Sequence, residues 1–202
     1  GLIGTAEVSL TAYHKDEILN HKDLPIKLCG ISPCFRREVG SYGKDTKGFF
    51  RVHQFTKVEM VMLVESDEEK TRKWHDKMLK LSENLLQDLE LPYQVLLMCT
   101  GDMGAGQRRK YDIETWFPGQ KKYRETHSDS YFNDFQSRRL NMRYQDKDGS
   151  IKHVHTLNNT VAATPRLLAA ILENYQQEDG SIVIPSVLRQ RLSFDKISNS
   201  EV

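Results

Sequence analysis

Between Cys34 and Glu59, two stretches of alternating apolar and polar residues flank a turn-rich interval, and no other part of the chain limits the fold so tightly. Pro33 to Glu38 and Phe49 to Glu59 alternate with a period of two, as half-buried strands do, whereas Gly40, Ser41, Gly43, Asp45 and Gly48 favour turns. The pattern predicts an antiparallel hairpin with a long loop at its tip. With Phe35 packed one way, Arg36 and Glu38 point the other way. On the returning strand Arg51, His53, Phe55, Lys57 and Glu59 share a single face. Alternation of this kind is the ordinary mark of a sheet face left in water. These particular residues also offer a nucleotide three contacts, because an arginine forks onto phosphate, a ring stacks on a base and a carboxylate accepts from an amino group.

The 202 residues, 38% apolar and 28% charged, suffice for one sizeable core and read as a single domain spanning 1–202. A formal net charge of +1 exerts no general pull on nucleic acid, so an RNA contact would need a local patch or a further segment. Cys29, Cys34 and Cys99 lack Cys-x-x-Cys spacing and suggest neither a disulfide framework nor structural zinc, which fits a cytoplasmic setting. No apolar run approaches the length of a membrane span, so no membrane partner is expected. The sequence opens at Gly1 without a methionine, directly in a motif, and reads as a fragment.

Taken in order, Leu10, Tyr13, Ile18 and Leu19 have roughly helical spacing, with Thr5 placed to cap and Glu7 in the first turn. Leu24 to Leu28 leads into the hairpin as a strand. The clearest helix runs from Asp67 to Glu90, with Trp74, Met78, Leu81, Leu85 and Leu89 as its core stripe. Pro92 ends it, and Tyr93 to Met98 and Lys110 to Phe117 read as strands. Gly101 to Gly106 is glycine-rich, but no Gly-Lys-Ser/Thr follows and a phosphate-cradling loop is not indicated. Glu125 and Ser128 are a carboxylate and hydroxyl that could hold a hard cation against phosphate oxygens; otherwise such a pair is simply surface. Asp146 to Gly149 is a hairpin turn, and His155 to Thr160 a strand end. Thr164 then caps a helix with Pro165 at its first position and Leu167, Leu168, Ile171, Leu172 and Tyr175 on its buried side. Arg166 opposes the dipole of that helix, which calls for an anion or a ring beside it.

Phe35-Arg36-Arg37-Glu38, the Gly-Ser-Tyr-Gly-Lys-Asp-Thr-Lys-Gly loop, and Arg51-Val52-His53-Gln54-Phe55 through Lys57-Val58-Glu59 closely resemble the second signature motif of class II seryl-tRNA synthetases. That motif spans about 33–60, a third resembles residues of about 155–177, and the likeness covers essentially the whole chain. It implies an α+β fold, an antiparallel β-sheet flanked by helices. It also implies ATP-dependent activation of L-serine to seryl adenylate, followed by transfer to tRNA(Ser). ATP binding then falls to Arg36, Arg37, Glu38, Phe55, Glu125, Thr126, His127, Ser128 and Arg166, with Arg36 and Arg166 catalytic and Mg2+ on Glu125 and Ser128. Serine binding falls to Thr5, Ala6, Glu7, Arg36, Glu59, Asn158 and Thr160. Members normally carry an N-terminal tRNA-gripping coiled coil and a first motif that builds a homodimer, both absent from these residues; the setting is cytoplasmic, with the mitochondrial matrix as the organellar alternative. Gly180 to Pro185 with Val187 and Leu188 resembles the usual carboxy-terminal strand. The chain departs from the pattern at Asp129 and Tyr131, where Cys and Asn are commoner, which bears on the local loop. It departs again at Asn159, often Gly, where a tightened turn is expected. Two other classes remain open: a synthetase paralogue with a binding or regulatory role, and a ligase that charges a carrier protein with an amino acid.

Overall fold

The computed structural model describes residues 1–39 and 48–198. A short helix α1 (Glu7–Thr11) and strand β1 (Ile18–Asn20) precede the hairpin, whose arms are β2 (Ile26–Phe35) and β3 (Gln54–Val64). Helix α2 (Glu68–Asp88) follows, then β4 (Tyr93–Leu97), β5 (Arg109–Phe117) and β6 (Lys122–Tyr131). Beyond them come α3 (Phe135–Leu140), β7 (Arg143–Gln145), β8 (Ile151–His153), β9 (His155–Ala163) and α4 (Thr164–Tyr175). The chain continues through β10 (Ile182–Val183), α5 (Ser186–Arg189) and β11 (Lys196–Ile197). The central sheet has six strands in the order β2-β3-β9-β6-β5-β4, every neighbouring pair antiparallel. The fold is thus α+β, as the resemblance implied.

The hairpin is shorter in regular structure than its alternation suggests. Pairing stops at Phe35 opposite Gln54, so Arg36, Glu38 and Arg51 sit beyond the ladder, and Glu38 adopts a positive φ of 53°. The loop residues Gly40, Ser41, Gly43 and Asp45 lie outside the described residues. Strand β3 is covered on both sides, since Val61 and Leu63 pack with Leu19, Met142 and Tyr144, while Met62 and Val64 pack with Met78, Tyr131 and Leu157.

Asp67 caps α2, its side chain accepting from Lys70 N at 3.0 Å, with Glu68 and Glu69 favourably placed in the first turn. The face of α2 turned to the sheet corrects the expected stripe. It consists of Thr71, His75, Met78, Ser82 and Leu86, while Leu81 is 55% exposed and the Trp74 ring is covered by Lys27 and Lys77. Polar residues are tolerated there because each meets a partner: Thr71 Oγ1 lies 2.9 Å from His155 Nδ1, and Ser82 Oγ donates to Thr160 O. Below this layer Leu86, Leu89, Leu91, Ile113, Phe117 and Ala170 form the main apolar cluster with α4.

Four local expectations change. The first helix ends at Thr11, with Ile18 and Leu19 in a strand that pairs parallel with β7. Thr164 does not cap α4: Ala163 is at the cap, and the Thr164 hydroxyl donates to Thr56 O at 2.9 Å, tying the helix to β3. In α4 it is Ala169 and Ala170 that are buried, with Leu168 49% exposed. Val187 and Leu188 lie in α5, not in a strand. Among the described residues no helix is long and apolar enough to cross a membrane.

Candidate active site

The period of two along β3 turns Phe55, Lys57 and Glu59 into one cavity of about 260 Å³, and the neighbouring β9 adds Asn158 and Thr160. Strand β6 adds Ser128 and Ser130 by the same alternation. Glu125 would be on the wrong side of a regular strand, three residues from Ser128. A bulge solves this: Glu125 pairs with Glu114 and His127 with Ile113, so Thr126 is the extra residue and Glu125 joins Ser128 at the cavity. A second shift, between Val58 and Glu59 on β3, leaves Val161 as the extra residue of β9. Beyond it Ala163, Pro165 and Arg166 reach the same space.

At one end of the cavity Glu59, 1% exposed, is held by several donors. Its Oε2 accepts from Thr5 Oγ1 at 2.5 Å and from Glu7 N at 3.1 Å. Its Oε1 lies 2.5 Å from Lys57 Nζ and 3.5 Å from Asn158 Nδ2. Burial, with the Glu59 charge nearby, pushes the Glu7 carboxyl above its ordinary value despite a hydrogen bond from Gln136. Thr5 does not cap α1 in the strict sense, since Ala6 occupies the cap position, yet its hydroxyl still accepts from Glu7 N at 3.3 Å.

At the other end the cations rest on acceptors and rings of the protein itself. The Arg36 guanidinium lies 5.3 Å from the Phe55 ring centroid, and its Nε donates to Gly4 O. Arg51 pairs with Glu38 at 2.5 Å. Arg166 Nη1 donates to Glu125 O at 2.8 Å and approaches Glu125 Oε2 at 3.1 Å, with its Cζ 4.8 Å from the Phe50 ring. The anion and the ring demanded by a cation in the first turn of α4 are therefore both present.

Glu125 and Ser128 supply hard oxygen donors, and Asp112, the register partner of Ser128, has a buried Oδ1 with no hydrogen-bond partner. This donor chemistry suits Mg2+. Among the described residues no three His, Cys, Asp or Glu side chains converge to hold an ion unaided, so such an ion would need ligand oxygens as well.

Of the sequence-derived candidates, Thr5, Glu7, Arg36, Glu38, Phe55, Glu59, Glu125, Thr126, Ser128, Asn158, Thr160 and Arg166 line the cavity. Ala6, Arg37 and His127 do not. His127 is 1% exposed and faces the interior, Nε2 donating to Val161 O and Nδ1 meeting Thr126 Oγ1, because it alternates with Ser128 and Ser130, which face the cavity. His53, grouped with the charged face, instead bonds Arg36 O. Sequence reasoning gave no role to Lys57 or Phe50, although both stand in the hairpin that it singled out; Gln107 and Phe132 carried no signal at all. The three departures from the family pattern sit in regular strands, not in loops or turns. Asp129 and Asn159 are register partners, fully buried, and Asn159 donates to Met78 O and Ser82 Oγ of α2; Tyr131 donates to Glu68.

A family model described as "tRNA synthetase class II core domain (G, H, P, S and T)" matches residues 1–175. The serine–tRNA ligase of Deinococcus radiodurans is 51% identical over 201 residues, covering 100% of this chain and 47% of that protein. The serine–tRNA ligase of Pyrococcus horikoshii is 52% identical over 197 residues, 97% of this chain and 43% of that one. The crystal structure of seryl-tRNA synthetase from Pyrococcus horikoshii complexed with ATP superposes with a TM-score of 0.94 at 50% identity, covering 98% of this chain and 44% of that chain. The cytoplasmic serine–tRNA ligase of Naegleria fowleri in complex with AMP gives 0.93 at 39% identity, with 98% and 47% covered. The chain spans less than half the length of these relatives.

Proposed function

The chain belongs to the class II tRNA synthetase core domain family, and from that membership we propose that it is the catalytic core of a serine–tRNA ligase. The observation that carries the serine reading is a buried carboxylate, Glu59, ringed by hydrogen-bond donors in the same cavity as the Arg36–Phe55 stack.

In this reading a serine carboxylate oxygen attacks the α-phosphorus of ATP. The new P–O bond gives seryl adenylate, and the bond to the β-phosphate bridge breaks to release pyrophosphate. A terminal ribose hydroxyl of tRNA(Ser) then takes the seryl group and AMP leaves. Neither step uses a protein nucleophile, so rate comes from positioning and from charge placed where it develops. Arg36 leaves the Phe55 ring to bridge the serine carboxylate and the α-phosphate, freeing that ring for adenine, while Glu38 accepts from the adenine amino group. Arg166 covers the other face of the base. Glu125 and Ser128 are the residues that would hold Mg2+, whose charge offsets that of the phosphates. Glu59 accepts from the substrate hydroxyl, and alanine, which would leave it unpaired, is rejected. Homodimer formation, a tRNA-gripping segment and a cytoplasmic setting belong to the same proposal for the whole protein.

The test is serine-dependent exchange of radiolabelled pyrophosphate into ATP. Exchange is expected with serine and not with alanine, and Arg36→Ala is expected to abolish it. Undiminished exchange in the Arg36 variant would refute its assignment, and absence of exchange in the unaltered protein would refute the reading as a whole.

A further inference from the structure

Glu59 is already saturated. A carboxylate offers about four lone-pair directions, and Thr5 Oγ1, Glu7 N, Lys57 Nζ and Asn158 Nδ2 approach its two oxygens. A substrate can use Glu59 only if one of them withdraws. Thr5 and the Glu7 amide are fixed by the start of α1, and Asn158 Nδ2 is also held by Met60 O at 3.2 Å. Lys57 alone reaches Glu59 on a flexible four-carbon stem. Its Nζ lies 2.5 Å from Glu59 Oε1 and donates to Thr5 Oγ1 at 3.0 Å, an ammonium lodged between a hydroxyl and a carboxylate. Its side chain is only 8% exposed.

We propose that Lys57 is an internal stand-in for the substrate at Glu59, holding that carboxylate in the empty site, yielding to the incoming serine hydroxyl and then pairing with the carboxylate of the same ligand. The inference deepens the serine reading and rests on it. Exchanging the Lys57 ammonium for a neutral hydroxyl at Glu59 is unfavourable by itself. The displaced Lys57, only 8% exposed where it stands, has then lost its carboxylate partner, and breaking a buried pair is costly. A ligand that brings its own carboxylate removes that cost; an amine without one does not. Lys57 thereby becomes a specificity residue that admits zwitterionic amino acids and turns away simple amines, hydroxylated or not. Arg36, which leaves the Phe55 ring to bridge that carboxylate to the α-phosphate, takes one of its oxygens and leaves the other to Lys57.

The experiment compares equilibrium binding of L-serine and of ethanolamine, which keeps the ammonium and hydroxyl but lacks the carboxylate, by calorimetry, with ATP binding as the check on folding. The unaltered protein is expected to favour serine by about 100-fold or more, a charge-assisted contact being lost with ethanolamine. Lys57→Met is expected to narrow that ratio to about 10-fold or less, by weakening serine without weakening ethanolamine, and Lys57→Arg to restore most of it. Should Lys57→Met fail to bind ATP, Lys57→Gln makes the same comparison with a neutral donor. A ratio that stays constant while both ligands weaken together overturns the proposal, because Lys57 would then merely hold Glu59 in place. If the unaltered protein binds ATP but not serine, the serine reading falls and this inference with it.

Discussion

Glu59 concentrates what single residues contribute. Four donors surround this carboxylate, which is 1% exposed, so replacing it leaves buried donors without a partner. Glu59→Gln is expected to raise the KM for serine by about 100-fold or more while moving that for ATP by less than about 3-fold, since the nucleotide end is built from other side chains. Equal increases in both would mean that the substitution had disturbed the whole cavity. Arg166 makes the complementary case. Arg166→Ala is expected to raise the KM for ATP about 10-fold or more and to leave that for serine unchanged, measured in the same exchange assay. Alternation along the hairpin made Phe55 and Glu59 legible as one face in the sequence, because a period of two is a local property. Alternation could not place Glu125, whose direction is set by a single unpaired residue, Thr126, in a strand whose register depends on its neighbour.

Elements add constraints that no residue carries alone. Helix α2 holds the back of the sheet by a mixed polar and apolar face, and Leu86, 0% exposed, is its deepest apolar anchor. Leu86→Ala is expected to cost about 3 kcal/mol, seen as a lower denaturant midpoint at unchanged slope. A change below about 1 kcal/mol would show that the cluster around it closes over the lost volume. A Cβ on Gly106 would stand 2.3 Å from the Phe135 ring, so α3 rests directly on the bare backbone of the loop before β5. Gly106→Ala is accordingly expected to destabilise by about 1–3 kcal/mol through forced displacement of that ring. The helical stripe of Trp74, Met78, Leu81, Leu85 and Leu89 was visible in the sequence, yet the real interface includes Thr71, His75 and Ser82. Apolar periodicity shows only where hydrophobic residues recur, and it is blind to polar groups whose partners lie on a distant strand.

Across the molecule, the layer between α2 and the sheet holds a histidine whose protonation opposes folding. His75 is fully buried; Arg109 Nε donates to its Nδ1 at 2.9 Å and Asp129 Oδ2 lies 3.4 Å from its Nε2, with Asp76, Tyr111 and Tyr131 also around it. Burial pushes its imidazole down to about 4 from 6.5, against a hydrogen bond from the ring to the Asp129 backbone and with the Arg109 charge lowering it further. A histidine depressed in the folded state stays neutral there while the unfolded chain takes up a proton. Its contribution is therefore intact above pH 6.5 and is lost as pH falls towards 4. The stability lost on that descent is expected to be steeper than in His75→Gln by up to about one proton's worth of slope, read from denaturant midpoints across that range. Parallel slopes would remove His75 from the account. The sequence by itself determined the antiparallel hairpin, the alternating face that carries Phe55 and Glu59, and the family, because these depend on local period and on contiguous residues. Tertiary structure alone decided that Thr126 bulges to bring Glu125 beside Ser128, that Lys57 occupies Glu59, and that Asp129 and Asn159 face α2. Each of those depends on the register and packing of strands far apart in the chain, which no local pattern encodes.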